Sequence, residues 1–113
     1  MNAPTREIEV PHALRPEPGE RCLWRIEGRS IALFNVSGEL FAIDDSCPHA
    51  GASLANGVVS GRTVQCRAHG LRFDMATGCM LPPGLRVRTY PLSIDGDRVV
   101  LTLEAEQGAA QSC

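Results

Sequence analysis

Lysine is absent from this 113-residue sequence, and all 11 of its basic side chains are arginines. Aromatic residues are also scarce, at 4% of the chain, and the 13 carboxylates do not gather into an acidic run. The arginines form no basic run of the kind that follows a phosphate backbone. The composition therefore does not favour a nucleic-acid-binding protein.

Long apolar runs are missing as well. Residues 1–20 contain no continuous apolar core of signal-peptide length, and no stretch approaches the roughly 20 apolar residues of a membrane span. A net charge of -2 and 43% hydrophobic residues are typical of one globular domain. We therefore expect a cytoplasmic protein with a single domain over residues 1–113, a core over about 5–103 and a tail over 104–113.

The sequence also has no sustained helical period, and this absence argues against a helix bundle. Short runs rich in β-forming residues occur instead, separated by turn residues. The expected fold is all-β, an antiparallel sandwich or small barrels. The predicted strands lie at 21–26, 30–36, 40–44, in a pair around Ser60-Gly61, in a hairpin whose turn contains Gly78, and at 92–94 and 99–103, with turns at Ser37-Gly38 and Asp95-Gly96.

Cysteine and histidine gather in one stretch. Of five cysteines and three histidines in the chain, Cys47, His49, Cys66 and His69 form two short units, with 16 residues between His49 and Cys66. An odd number of cysteines fits a secreted disulfide framework poorly and fits metal-binding thiolates in a reducing compartment better. Both units can face one buried object only if the loops bend sharply, and three residues permit or impose such bends: Pro48, Gly51 and Gly70.

Two metal centres suit four ligands of this kind: a tetrahedral zinc ion, or an iron-sulfur cluster in which two histidines replace cysteines on one iron. Structural zinc sites usually pair cysteine with cysteine and histidine with histidine. Here each unit pairs a cysteine with a histidine, so each loop can send one ligand to each of two irons. The spacing favours the cluster, and a zinc clip is the alternative.

The pattern Cys47-x-His49, then Cys66-x-x-His69, resembles the binding motif of Rieske [2Fe-2S] proteins. Pro82-Pro83-Gly84 is similar to the proline loop that covers the cluster in that family, and the resemblance extends over about residues 5–103. It implies a subdomain of two loops and a proline loop that holds one cluster per chain. Cys47 and Cys66 would bind the inner iron, and His49 and His69 the outer iron near the surface.

Four positions depart from the high-potential members of the family. Those proteins have a disulfide between the two loops and hydroxyls of a serine and a tyrosine near the cluster; this chain has Ala52 and Ala68, and Leu71 and Phe73, at the corresponding positions. Hydrogen bonds to the sulfurs favour the reduced cluster, so their loss lowers the potential. We expect a value toward the bottom of the Rieske range, roughly -150 mV.

Small low-potential Rieske proteins resemble the ferredoxin components of bacterial aromatic-ring dioxygenase systems. The resemblance implies a soluble one-electron carrier, no enzyme by itself, between a flavin-containing NAD(P)H reductase and a Rieske non-haem iron oxygenase. We expect a monomer when free. The alternative is the small Rieske-like subunit of an assimilatory NAD(P)H nitrite reductase, although many such subunits lack some of the four ligands.

The remaining candidates receive simpler interpretations. Cys22, Cys79 and Cys113 are assigned no role, His12 is expected to be a solvated side chain, and Trp24 is expected to pack in the core.

Charged residues border both units. Asp44 and Asp45 directly precede the first, while Arg67 and Arg72 lie in and after the second. They could contact a redox partner or simply form a solvated rim.

Overall fold

The computed structural model describes residues 5–47, 51–68, 70–82 and 84–104, and this part of the chain is built almost wholly from antiparallel strands. Its one helical element there is a short 3-10 turn at His12–Leu14. No helix within the described ranges is long and apolar enough to cross a membrane. The strands are β1 Thr5–Glu9, β2 Arg21–Ile26, β3 Arg29–Val36, β4 Glu39–Asp44, β5 Val58–Ser60, β6 Thr63–Gln65, β7 Arg72–Asp74, β8 Met80–Leu81, β9 Leu92–Asp95 and β10 Arg98–Glu104.

The ten strands form three sheets. The first has the order β1-β10-β9, the second β2-β3-β4 and the third β5-β6-β7-β8. In the second and third sheets every strand pairs with its neighbour in sequence, so these are simple meanders joined by tight turns. The expected all-β antiparallel architecture is confirmed.

Strand β3 explains how the three sheets share their cores. Its central residues are all buried, and alternate side chains of a strand point to opposite faces. Ile31 and Leu33 join a core with residues of β10, whereas Ala32 and Phe34 join a second core with residues of the third sheet. The continuous apolar run in the sequence therefore reflects a strand that is covered on both sides.

The second core contains the candidate metal-binding cysteines. Cys47 and Cys66 are buried there together with Leu54, Phe73 and Met75. Trp24 lies in the other core at 7% exposure, as its interpretation as a packing residue requires.

Several predicted boundaries need correction. Strand β1 and the 3-10 turn were not predicted, because Pro11, Pro16 and Pro18 obscure the short alternating segment before them. Two hairpin turns lie one residue later than expected, since Ser60 pairs with Thr63 and Asp95 pairs with Arg98.

The register explains this shift, because it is set by which face of each strand is buried rather than by turn residues alone. The turn at Ser37-Gly38 and the one containing Gly78 are confirmed. Glu104 still belongs to β10, and the rest of the expected tail, 105–113, lies outside the described residues.

Candidate metal centre

The first Cys-containing loop follows β4 and turns back on itself at once. The backbone N–H of Cys47 donates to the carbonyl oxygen of Ala52 at 2.8 Å, and the N–H of Gly51 donates to the carbonyl oxygen of Cys47 at 2.7 Å. Gly51 has φ +72°, a left-handed conformation that glycine adopts without a Cβ penalty. The six-residue loop 47–52 is thus closed by two hydrogen bonds around its cysteine.

The second loop repeats this pattern. The N–H of Cys66 donates to the carbonyl oxygen of Leu71 at 2.8 Å, the N–H of Gly70 donates to that of Cys66 at 2.9 Å, and Gly70 has φ +74°. In both loops the cysteine is first and the glycine fifth, and the same two backbone hydrogen bonds are formed. In the sequence, histidine is the third residue of the first loop and the fourth residue of the second. That spacing alone does not show that the same backbone hydrogen bonds close both loops.

Both cysteines are buried free thiols. Cys47 is 1% and Cys66 0% exposed, and neither is in a disulfide. The structure therefore places these two predicted ligands in one apolar core, each at the start of an equivalent loop. The other two predicted ligands, His49 and His69, lie outside the described residues, as do Pro48 and Pro83.

A short turn after the first loop is held by the carboxylate of the residue that follows β4. The carboxylate of Asp45 accepts hydrogen bonds from the Ser53 hydroxyl at 2.8 and 2.9 Å and from the Ala55 backbone N–H at 2.6 Å. Hydrogen bonds to a charged acceptor are stronger than neutral ones. Asp45 thus fixes the chain that leads from the first loop into β5.

Two arginines hold the same turn through its carbonyl groups. Arg21 of β2 donates to the carbonyl oxygens of Ala55, at 3.1 Å, and Gly57. Arg67 of the second loop donates to the carbonyl oxygen of Asn56. We call Asp45, Arg21 and Arg67 the loop clamp, because together they connect the second sheet, the first loop and the second loop.

Asp44 is also engaged within the protein. It accepts a hydrogen bond at 2.5 Å from the hydroxyl of Tyr90, to which Arg29 donates at 3.3 Å. Burial, reinforced by the hydrogen bond to Asp44, raises the pKa of Tyr90 above its ordinary value. Asp44 and Asp45 both serve internal contacts, and their contact with a redox partner stays a prediction.

The four positions that depart from the high-potential pattern are now placed. Phe73 is 0% exposed and lies in the same core as the two cysteines. Leu71 and Ala52 are partly buried and pack against that core. Ala68 is exposed in the second loop. Leu71 and Phe73 therefore border the buried thiols without offering a hydroxyl.

The proline loop is closed at its base. There the N–H of Met80 donates to the carbonyl oxygen of Leu85 at 3.1 Å, and Cys79 and Arg86 form an isolated antiparallel β-bridge. Pro82 is exposed. Its cover over the metal centre stays a prediction. His12 is exposed on the 3-10 turn, as expected for a solvated side chain, and Cys22 is a half-buried free thiol of β2.

Sequence reasoning missed the loop clamp. Arg21 and Gly57 are 36 positions apart, and Asp45 and Ala55 are 10 apart, so no local spacing connects them. The only sequence signal for the loop clamp was Asp45, which lies shortly before Cys47. Its position suggested contact with a redox partner or a solvated rim instead of an internal contact.

Comparisons with known proteins agree with this geometry. Residues 8–91 match the Rieske [2Fe-2S] domain family. The chain is 40% identical over 80 residues to the ferredoxin component of the naphthalene 1,2-dioxygenase system of Pseudomonas aeruginosa, which covers 69% of this chain and 77% of that protein.

Two solved structures share the fold. One is a chain of the complex of reduced oxygenase and oxidised ferredoxin in carbazole 1,9a-dioxygenase, with TM-score 0.72 and 25% identity over 83% of this chain and 99% of that chain. The other, an NADH-dependent nitrite reductase small subunit from Mycobacterium tuberculosis, has TM-score 0.79 and 22% identity over 91% and 99% of the two chains, a likeness of fold alone. With its two matched cysteine loops and this family match over most of its length, the chain belongs to the Rieske [2Fe-2S] domain family.

Proposed function

We propose that Cys47, His49, Cys66 and His69 hold one [2Fe-2S] cluster per chain, and that the protein is a soluble, low-potential one-electron carrier. The observation that carries this proposal is the pair of buried free thiols at the start of two loops with the same backbone hydrogen bonds. Thiolates suit iron-sulfur clusters, and a dry core around them suits a cluster with two inner cysteine ligands. The donor set therefore fits the group.

When bound, the cluster accepts and releases one electron at a time. The chain's residues set the conditions for that chemistry. The apolar core around Cys47 and Cys66 excludes water from the thiolates, and the two closed loops hold both sulfurs in fixed backbone frames. The loop clamp joins these frames to the second sheet.

The low potential is supported by the side chains next to the thiols. Leu71 and Phe73 supply no hydroxyl that could donate to a cluster sulfur, and the fully buried ring of Phe73 keeps water out. Such donors would stabilise the more negative, reduced state. Without them the potential stays within reach of electrons derived from NAD(P)H.

The partners follow from the relatives. These are ferredoxin components of dioxygenase systems, so we infer a flavin-containing NAD(P)H reductase as electron donor and a Rieske non-haem iron oxygenase as acceptor. We further infer a cytoplasmic protein, monomeric when free, with one domain over residues 1–113. The nitrite reductase alternative has only the likeness of fold in its favour.

A potentiometric titration of the purified, anaerobically handled protein tests the function. We expect a red-brown chromophore with one-electron behaviour and a midpoint of roughly -150 mV that stays flat near neutral pH. The measurement is visible absorbance at a series of potentials, repeated at neutral and alkaline pH. A high midpoint that depends on pH near neutrality would indicate quinol-type chemistry, and a colourless protein containing zinc would leave the two loops only a structural clip.

Adding the missing hydroxyls is expected to raise that midpoint. A hydrogen bond worth about 1 kcal/mol more to the reduced state corresponds to roughly 40 mV for one electron. The double variant Leu71→Ser and Phe73→Tyr should therefore shift the midpoint upward by tens of millivolts in the same titration. The variant Leu71→Ala and Phe73→Leu, which adds no hydroxyl, is the control for altered packing; an equal shift in both variants would contradict the hydrogen-bond account.

A further inference from the structure

Charge is divided unequally between the two parts of this molecule. The segment 46–88, which contains both cysteine loops, the third sheet and the proline loop, has five arginines and a single carboxylate, that of Asp74. The rest of the chain has six arginines and twelve carboxylates. The net charges are therefore +4 and -6 in a protein whose total is only -2.

The single carboxylate of this segment is occupied internally. Asp74 accepts hydrogen bonds from the backbone N–H groups of Ala76 and Thr77, at 2.8 and 3.2 Å, and pairs with Arg62 at 3.3 Å. Its side chain is only 18% exposed. Asp74 therefore offsets the charge of Arg62 and forms no ion pair with Arg67 or Arg72 in the described part of the chain.

Two of these arginines lie at the two ends of the second loop. Arg67 follows Cys66, Arg72 begins β7 after the loop closes, and both are exposed. Arg72 pairs directly with Leu81 of β8, so their side chains share one face of the sheet. The adjacent pair, Phe73 and Met80, points to the opposite face and packs in the core with the cysteines.

Exposed apolar side chains lie beside Arg72. Leu81 is 40% exposed, and Leu85, on the other side of the proline loop, is also 40% exposed. We call Arg72, Leu81 and Leu85, together with the exposed Arg67 at the other end of the second loop, the arginine face. An apolar centre with charged neighbours is the usual composition of a protein interface.

We propose that the arginine face docks an electron-transfer partner whose own docking surface is rimmed by carboxylates. The inference rests on the proposed function and names the chemistry of the partner's surface. Guanidinium groups match carboxylates with two parallel hydrogen bonds, and opposite charges steer two proteins together before contact. The acidic remainder of the chain repels the same partner and so orients the encounter toward the cysteine loops.

A protein partner is favoured over nucleic acid. The face is small and contains leucines where a phosphate-tracking surface would carry further basic residues, and nucleic-acid affinity at physiological salt needs many phosphate contacts. Duplex DNA is therefore a control ligand in the test.

The test uses two small oxidants of opposite charge. One electron passes from the reduced, cluster-loaded protein to ferricyanide, giving ferrocyanide, or to hexaammineruthenium(III), giving the ruthenium(II) complex. Salt screens charges over about 10 Å at 0.1 M, so the local face governs the encounter. We expect the ferricyanide rate to fall as NaCl is raised from about 100 to 500 mM and the ruthenium rate to change in the opposite direction. A ferricyanide rate that rises with salt would follow the net negative charge and overturn the proposal.

Matched variants locate the effect. Arg72→Gln should slow the ferricyanide reaction about threefold or more at low salt and flatten its salt dependence. Arg25→Gln removes another exposed arginine, from β2 in the acidic part, and should leave the rate within about 1.5-fold of the wild type. Equal effects of the two variants would remove the arginine face from the explanation.

The outcomes separate this proposal from the function it rests on. A protein that takes up no cluster overturns the proposed function and the docking surface with it. A redox-active protein with the wrong salt dependence overturns the docking surface alone. Binding of a 20-base-pair duplex at 150 mM salt, with an affinity that Arg72→Gln weakens, would assign the face to nucleic acid instead.

Discussion

Cys66→Ser is expected to yield a folded protein without the visible chromophore. Cys66 is 0% exposed, begins the second loop, and both accepts and donates a backbone hydrogen bond that closes it. Serine preserves those backbone contacts, but its hydroxyl is a hard, weakly acidic donor that does not replace a thiolate on iron. Iron content should fall from about two atoms per chain to near zero after anaerobic reconstitution.

Cys22→Ser is the matched control for this loss. Cys22 is also a free thiol, but it is half-buried on β2 and belongs to neither loop. The control should keep wild-type iron content and absorbance, and far-ultraviolet circular dichroism of Cys66→Ser verifies that its fold persists. Retention of the chromophore in Cys66→Ser, or its loss in Cys22→Ser, would contradict the assignment of the ligands.

Gly78→Ala should destabilise the protein strongly, because it combines an unfavourable backbone conformation with a steric clash. Gly78 has φ +81°, and a Cβ atom on it would overlap the carbonyl oxygen of Val87 and lie 3.2 Å from Cγ2 of Thr89. The backbone of Val87 is also held against Gly78, because the N–H of Val87 donates to the carbonyl oxygen of Gly78 at 2.9 Å. The left-handed conformation costs about 1–2 kcal/mol and the clash about 1–3 kcal/mol more, so we expect a loss of about 2–5 kcal/mol.

Gly61→Ala isolates the first of these costs. Gly61 also has a positive φ, +59°, but a Cβ atom there would meet nothing within 4 Å. Its variant should lose only about 1–2 kcal/mol. The free energy of unfolding of both variants can be measured by urea denaturation. If both lose the same amount, residues 87–89 yield to the added methyl group and are held less tightly than the contacts indicate.

Much of the fold was predictable because its strands are local. β2, β3 and β4 each combine β-forming residues with a tight turn to the next strand, so the sequence pattern and the hydrogen-bond pattern coincide. The sharp bends of the two cysteine loops were also predictable, because a glycine follows each cysteine by four positions.

The rest depended on contacts between distant segments. Strand β1 pairs with β10, about ninety residues later, and its own sequence is too short and polar to predict a strand. The arginine face is likewise invisible as a charge run, because Arg67 and Arg72 are separated by five positions and Arg72 comes next to Leu81 only through the β7-β8 pairing. The direction of the Asp44 and Asp45 side chains could not be read from their position beside Cys47.

The loop clamp bears on the speed of electron transfer. Three charged side chains from three separate segments hold consecutive carbonyl groups and an N–H of one turn, so the turn that follows the first cysteine loop is held by contacts that do not involve the metal centre. A site ordered in this way rearranges little when its charge changes by one electron. The small reorganisation energy that results lets an electron enter and leave with little driving force, and this suits a one-electron carrier.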